Sequence, residues 1–242
     1  MGLNIDELVR RNKKRLADLE KLLGYRFTDL RLLQNALIHS SFAFEQPQIG
    51  KDNEVLEFIG DAVLDLVIGH TVCKRYPEMR EGLLTRLRAS LVNEAHLAYM
   101  ARSLELGRFL CLGKGEDGSN GRNKPSILSC AFEAVVGAVF EDSGYQSAAE
   151  LIQRLFTEEI EKKKENLLLA DAKSRLQEKL QDLYNEAPGY RLVKEEGPSH
   201  CKIFTVSVVF RDRTLGTGTA SSKKEAEQRA AAIALADLDQ QK

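Results

Sequence analysis

The sequence predicts a mainly α protein in two parts. An all-helical domain covers residues 1–160, and a small α-β-β-β-α (α+β) domain covers 171–242, with a linker at 161–170. Three observations predict this. Apolar residues recur at helical spacing through almost all of the first two-thirds of the 242 residues. Strand-like runs rich in β-branched residues appear only beyond residue 189. A charged run, EEIEKKKEN (158–166), separates the two styles and reads as a tether.

Taken in order, residues 8–23 and 30–39 are amphipathic helical segments, 53–69 is an apolar helix carrying acids, and 83–101 is a further helix. Residues 113–126, GKGEDGSNGRNKPS, hold four glycines and a proline, the composition of a mobile surface loop. Helical periodicity resumes at 127–143 and 148–164. In the second part, 172–184 is a helix. YRLVK (190–194), KIFTVSVVF (202–210) and the weaker LGTGTA (215–220) are strands, and an alanine-rich helix follows at 222–238.

The bulk numbers bound the function classes. At 43% hydrophobic residues the chain can build a packed core, and its net charge of −1 does not point to a polyanion partner. The second part holds 12 Lys+Arg against 11 Asp+Glu, so nucleic-acid binding has to rest on local patches. No apolar run reaches the roughly 18 residues of a membrane span, and the charged start, MGLNIDELVRRNKKRL, lacks a signal core. The four cysteines are widely spaced with no CxxC pair, which predicts reduced thiols in a cytoplasmic protein.

The chemistry concentrates in NEVLEFIGDAVLDLVIG (53–69). Glu54, Glu57, Asp61 and Asp65 are spaced three, four and four apart, so they project from one face of a helix that is otherwise apolar or small. Such a helix belongs in a core, where carboxylates need a partner. No Lys or Arg lies between Lys51 and Lys74, so the partner comes from outside the segment, and a divalent cation is a candidate. Glu133 meets the same problem in ILSCAFEAVVGAVFEDSGY (127–145), which has no basic residue. Two facing helices could set Glu57, Asp61 and Glu133 around a hard cation such as Mg²⁺, able to activate water and stabilise charge on a phosphate. The alternative is a set of acids on an exposed helix edge that only adds solubility. Gly60, Gly69 and Gly137 sit inside these helices, where glycine costs roughly 1 kcal/mol against alanine, and close helix approach or a nearby ligand would explain them. For Gly137 simple core packing is the expected reason.

The segment NEVLEFIGDAVLDLVI resembles the signature of the ribonuclease III family. ALIHSSF (36–42), REGLLTRLRASLVN (80–93) and PSILSCAFEAVVGAVFEDSGY (125–145) match that family in the same order, and the α-β-β-β-α unit resembles its double-stranded-RNA-binding domain. The resemblance covers residues from about 16 to 238. It implies a homodimeric endoribonuclease of double-stranded RNA, dependent on Mg²⁺ with Mn²⁺ as a substitute and needing no nucleotide cofactor. Its products would carry 5′-phosphates and two-nucleotide 3′ overhangs, and its usual substrates are ribosomal RNA precursors and structured messenger RNA. By motif position Glu57, Asp61 and Glu133 match the catalytic metal-binding acids, Glu54 and Glu81 the auxiliary acids, and Phe58 an aromatic knob entering the partner subunit. Without the match, Phe58 would read as an ordinary core residue and Glu81 as a solvated helix-start acid.

One position departs from the family. Cys130 stands where an aspartate ligand is usual, three residues before Glu133, and a neutral thiol is a poor ligand for a hard cation. Three readings follow: fewer direct ligands, a preference for manganese, or a slow or inactive RNA-binding regulator. In the second domain, Gln177 and Gln181 share a helix face that the resemblance places in the minor groove, and His200 in GPSH (197–200) would reach the adjacent one. Lys223 and Lys224 open the last helix, where the dipole disfavours cations and a phosphate partner would reverse that penalty. The plainer readings are a solvated helix start and a loop histidine.

Overall fold

The computed structural model describes residues 4–198 and 201–240. The chain divides into two compact units, Met1–Glu161 and Lys162–Lys242. Among the described residues, no helix is long and apolar enough to cross a membrane.

The first unit is helical because its segments are both amphipathic and capped. α1 (Ile5–Leu23) starts where the Asn4 side chain accepts from Glu7 N, and ends at Gly24 in the left-handed region. α2 (Leu30–Ala36) is capped by Asp29 and stops short of the expected residue 39. The physical reason is a two-way backbone pairing: Cys111 N donates to Leu37 O (2.8 Å) and His39 N to Cys111 O (3.1 Å), which holds the fully buried Ile38 extended. α3 (Ser40–Glu45) follows at once. α4 (Glu54–Arg75) is the acid helix, with Glu54 and Glu57 in its first turn and Lys74 and Arg75 in its last, the polarity its dipole favours.

Two expectations are corrected here. The single helix over 83–101 is two, α5 (Glu81–Val92) and α6 (Glu94–Ser103), because Asn93 turns extended and its side chain caps α6 by accepting from His96 N at 3.0 Å. The loop expected to be mobile is ordered into α7 (Lys114–Gly118) and a 3₁₀ turn, Gly121–Asn123. Arg122 ties it down by donating to the carbonyls of Gly107 (3.0 Å) and Leu110 (2.8 Å) and pairing with Asp117.

α8 (Pro125–Tyr184) is helical except at Gly144, whose φ of 75° and ψ of −174° break it into two helices, 125–143 and 145–184. The residues expected as a linker, 161–170, are helical. In the second unit the sheet runs β1 (Gly189–Glu196), β2 (Ile203–Phe210), β3 (Arg213–Ala220) in antiparallel order, with a register shift between Leu192 and Lys194. α9 (Lys223–Gln240) lies on this sheet, capped by Ser222, which accepts from Glu225 N. A Cβ at Gly216 or Gly218 would overlap the carbonyl oxygens of Ala230 or Ala226, so the weak β3 pattern is the imprint of an alanine-faced helix lying close on the sheet. Ala226, Ala230 and Ala234 are fully buried there.

Candidate active site

The site forms where α4 crosses the first helix of α8. A Cβ on Gly60 would overlap the backbone oxygen of Glu133, and one on Gly137 would overlap that of Leu56 and meet Gly60 N at 3.1 Å. Both glycines therefore mark backbone-to-backbone contact. That contact brings the acid face of α4 against Cys130 and Glu133. Asn53 fixes the start of α4: its N–H donates to Ile38 O (2.9 Å), its amide to Ala36 O (3.3 Å), and its own carbonyl accepts from Glu57 N.

The result is an open cleft of about 740 Å³ lined by His39, Ser40, Asn53, Glu54, Glu57, Phe58, Asp61, Ser126, Ile127, Cys130 and Glu133. Among the described residues, no Lys or Arg lines it. Ligand atoms of Glu57, Cys130 and Glu133 lie within 4.8 Å of one another, and all three residues are half-buried. Asp61 is exposed on the cleft wall and stands outside this tight triplet, but its charge still acts on Glu133.

The electrostatics are those of a site short of positive charge. Burial, then the negative charges of Asp61 and Glu57, push the Glu133 carboxyl up to about 7. Burial also pushes the Cys130 thiol up to about 12, helped by the hydrogen bond it donates to Glu57. The thiol is therefore neutral at pH 7 and occupies one of the carboxylates it faces.

The acid row is less buried than the sequence pattern predicts. Glu54 and Asp61 are exposed, and so are Val55 (66%), Phe58 (77%) and Leu66 (59%) beside them, so α4 sits at the surface with an uncovered apolar stripe. Asp65 lies apart from the cleft, with its Oδ1 3.8 Å from Arg88 Nε on α5. Gly69 has no such crossing; a Cβ there would make ordinary contact with Arg88. Glu81 opens α5 and accepts from the Thr85 hydroxyl (2.8 Å), and it does not line the cleft. His39, Ser40 and Ser126 also line the cleft, and the segments ALIHSSF and PSILSC are their signals in the sequence.

In the second unit Gln177 and Gln181 are exposed on one helix face, and Gln181 donates to Asn185 (2.8 Å). Lys223 and Lys224 are exposed in the first turn of α9, with Lys223 Nζ 5.6 Å from the Phe204 ring centre. His200 lies outside the described residues.

Two family models match the chain. The Ribonuclease-III-like family model matches residues 29–160, and the double-stranded RNA binding motif matches 172–238. A curated relative named Ribonuclease 3, from Desulfotalea psychrophila, is 65% identical over 239 residues, covering 99% of each chain. Another Ribonuclease 3, from Pelotomaculum thermopropionicum, is 48% identical over 226 residues, 93% of this chain and 94% of the relative. The crystal structure of the nuclease domain of ribonuclease III from Campylobacter jejuni superposes with a TM-score of 0.55 at 43% identity, covering 59% of this chain and 94% of that one. A second structure of that domain, described by flexibility in a region involved in dimer formation, gives the same score and identity over 58% and 95%.

Proposed function

The chain belongs to the ribonuclease III family, a family of metal-dependent endoribonucleases, and on that premise we propose that its acid-lined cleft hydrolyses phosphodiesters of double-stranded RNA, leaving 5′-phosphates, 3′-hydroxyls and two-nucleotide 3′ overhangs. The observation that carries the reading is the convergence of Glu57, Asp61 and Glu133 on one cleft, in a chain that also carries a duplex-RNA-binding motif.

The carboxylates fit a hard divalent cation, since repulsion among them already shows in the raised Glu133. We assign Glu57, Asp61 and Glu133 to hold Mg²⁺, with Mn²⁺ as a substitute. Such an ion, when bound, supplies a more acidic water and neutralises charge on the phosphate. Cys130 does not fit as a ligand for it: the thiol is neutral and donates to Glu57. Glu54 and Glu81 serve as auxiliary acids. Gln177, Gln181, His200, Lys223 and Lys224 contact the duplex, whose A-form shape such domains read across about 16 base pairs.

A second copy of the chain covers the stripe of Val55, Phe58 and Leu66, with Phe58 as the central anchor of a homodimer. Cytoplasmic processing of ribosomal RNA precursors and structured messenger RNA is the role that follows, and the four free cysteines suit that compartment.

The test incubates the purified protein with long duplex RNA in Mg²⁺ and in Mn²⁺ and maps the ends. Cleavage with two-nucleotide 3′ overhangs is expected. Binding without cleavage in either ion would sink this reading and favour a regulator disabled at Cys130.

A further inference from the structure

We propose that His39 is a substrate-contacting residue of the cleft, whose Nε2–H donates to a non-bridging oxygen of a phosphate bound there. This rests on the nuclease reading of the same cleft.

Three hydrogen bonds in series fix the ring. Gly113 N–H donates to Ser41 Oγ at 2.9 Å, so that oxygen is an acceptor there and is left with its own hydrogen to give. Ser41 Oγ lies 2.8 Å from His39 Nδ1, and Ser41 N–H also donates to His39 Nδ1, at 3.2 Å. The backbone donation from Ser41 makes Nδ1 an acceptor with no proton of its own. In the neutral ring the proton is therefore on Nε2, at the opposite edge. Position 113 is itself constrained, because a Cβ there would crowd Glu45 Oε1 and Ser41 O.

The cleft gives this donor a purpose. Among the described residues its wall holds four carboxylates and no Lys or Arg, so an entering phosphate finds little to hold it apart from a cation. Most of the wall's other donors are committed: the Asn53 amide donates to Ala36 O and the Cys130 thiol to Glu57. His39 remains with the hydroxyls of Ser40 and Ser126, and of these it alone is oriented by a built chain of hydrogen bonds. A preorganised donor aimed at a charged oxygen in such a site is worth far more than the same group free in water.

Two substitutions separate the ring's two edges. In His39→Asn the short amide replaces Nδ1 as the acceptor capping α3, but nothing reaches the Nε2 position. In His39→Gln the amide N–H reaches toward the Nε2 position. The expected result is a fall of about 10- to 100-fold in the cleavage rate at saturating duplex RNA for His39→Asn. Its melting temperature should stay within error of the parent, and His39→Gln should recover part of the rate. Parent-like turnover by His39→Asn would overturn the proposal while leaving the nuclease reading intact. Equal loss in His39→Asn and His39→Gln would overturn it as well, since the donor would then not be the missing feature. A parent protein that cuts no duplex RNA would remove both readings together.

Discussion

Glycine allows backbones to touch in both units, and the consequences are opposite. In the second unit Gly216 and Gly218 let α9 settle on β3, and what meets is Ala226, Ala230 and Ala234, small, apolar and fully buried. In the first unit Gly60 and Gly137 let α4 touch α8, and the contact draws Glu57 and Asp61 toward Glu133, whose carboxyl is pushed up to about 7. One close approach only packs, while the other concentrates like charge. The difference supports the proposal that the α4–α8 crossing is the functional one, because a fold selected for stability alone has no reason to bring acids together.

Breaking the two contacts should separate these roles. Gly60→Ala or Gly137→Ala drives a methyl into a backbone carbonyl, and we expect a loss of roughly 2–4 kcal/mol in stability with cleavage abolished, read by thermal melting and RNA digestion. Gly218→Ala should weaken the second unit by a similar amount and lower duplex affinity. Changes of less than about 0.5 kcal/mol at Gly60 or Gly137 would mean the helices are not in contact as described.

The charge side of the comparison has a definite sign. Glu133 ionises near 7 in the fold and near 4.5 when unfolded, so the folded state binds the extra proton between those values. The contribution of Glu133 to stability is therefore greatest below about 4.5, falls as pH rises toward 7, and stays low above it. Glu133→Gln removes this loss. It should be more stable than the parent by about 1–3 kcal/mol at pH 8 without divalent ions, with the gap closing below pH 4.5. A denaturant titration at both pH values measures it, and a gap independent of pH would contradict the electrostatic origin.

Smaller effects sharpen each side. Cys130→Asp exchanges a neutral thiol for an oxygen ligand and should lower the Mg²⁺ concentration needed for half-maximal cleavage several-fold. An unchanged magnesium requirement would show that position 130 does not limit the site. Replacing Lys223 and Lys224 by alanine should weaken duplex binding alike at all sequences and reduce the salt slope by roughly one to two.

The sequence made the chemistry more legible than the exposure. The spacing of Glu54, Glu57, Asp61 and Asp65 places them on one face whatever surrounds the helix, so that reading transfers directly. The apolar pattern around them predicts a core, yet Val55, Phe58 and Leu66 are open, because periodicity registers an apolar face without saying what covers it. Asn93 and Arg122 were illegible for another reason. One ends a helix by a local cap inside an apolar run, and the other orders a glycine-rich segment through carbonyls 12 and 15 residues away. His39 needed the fold most of all, since its tautomer depends on Gly113, far along the chain.

Cleavage of duplex RNA by Glu133→Gln in Mg²⁺, measured beside its affinity for the same duplex, decides whether the α4–α8 crossing assembles Glu57, Asp61 and Glu133 into one cation-dependent hydrolytic site. Cleavage should be lost while affinity and folding are retained; parent-like cleavage by this variant would rule that assembly out.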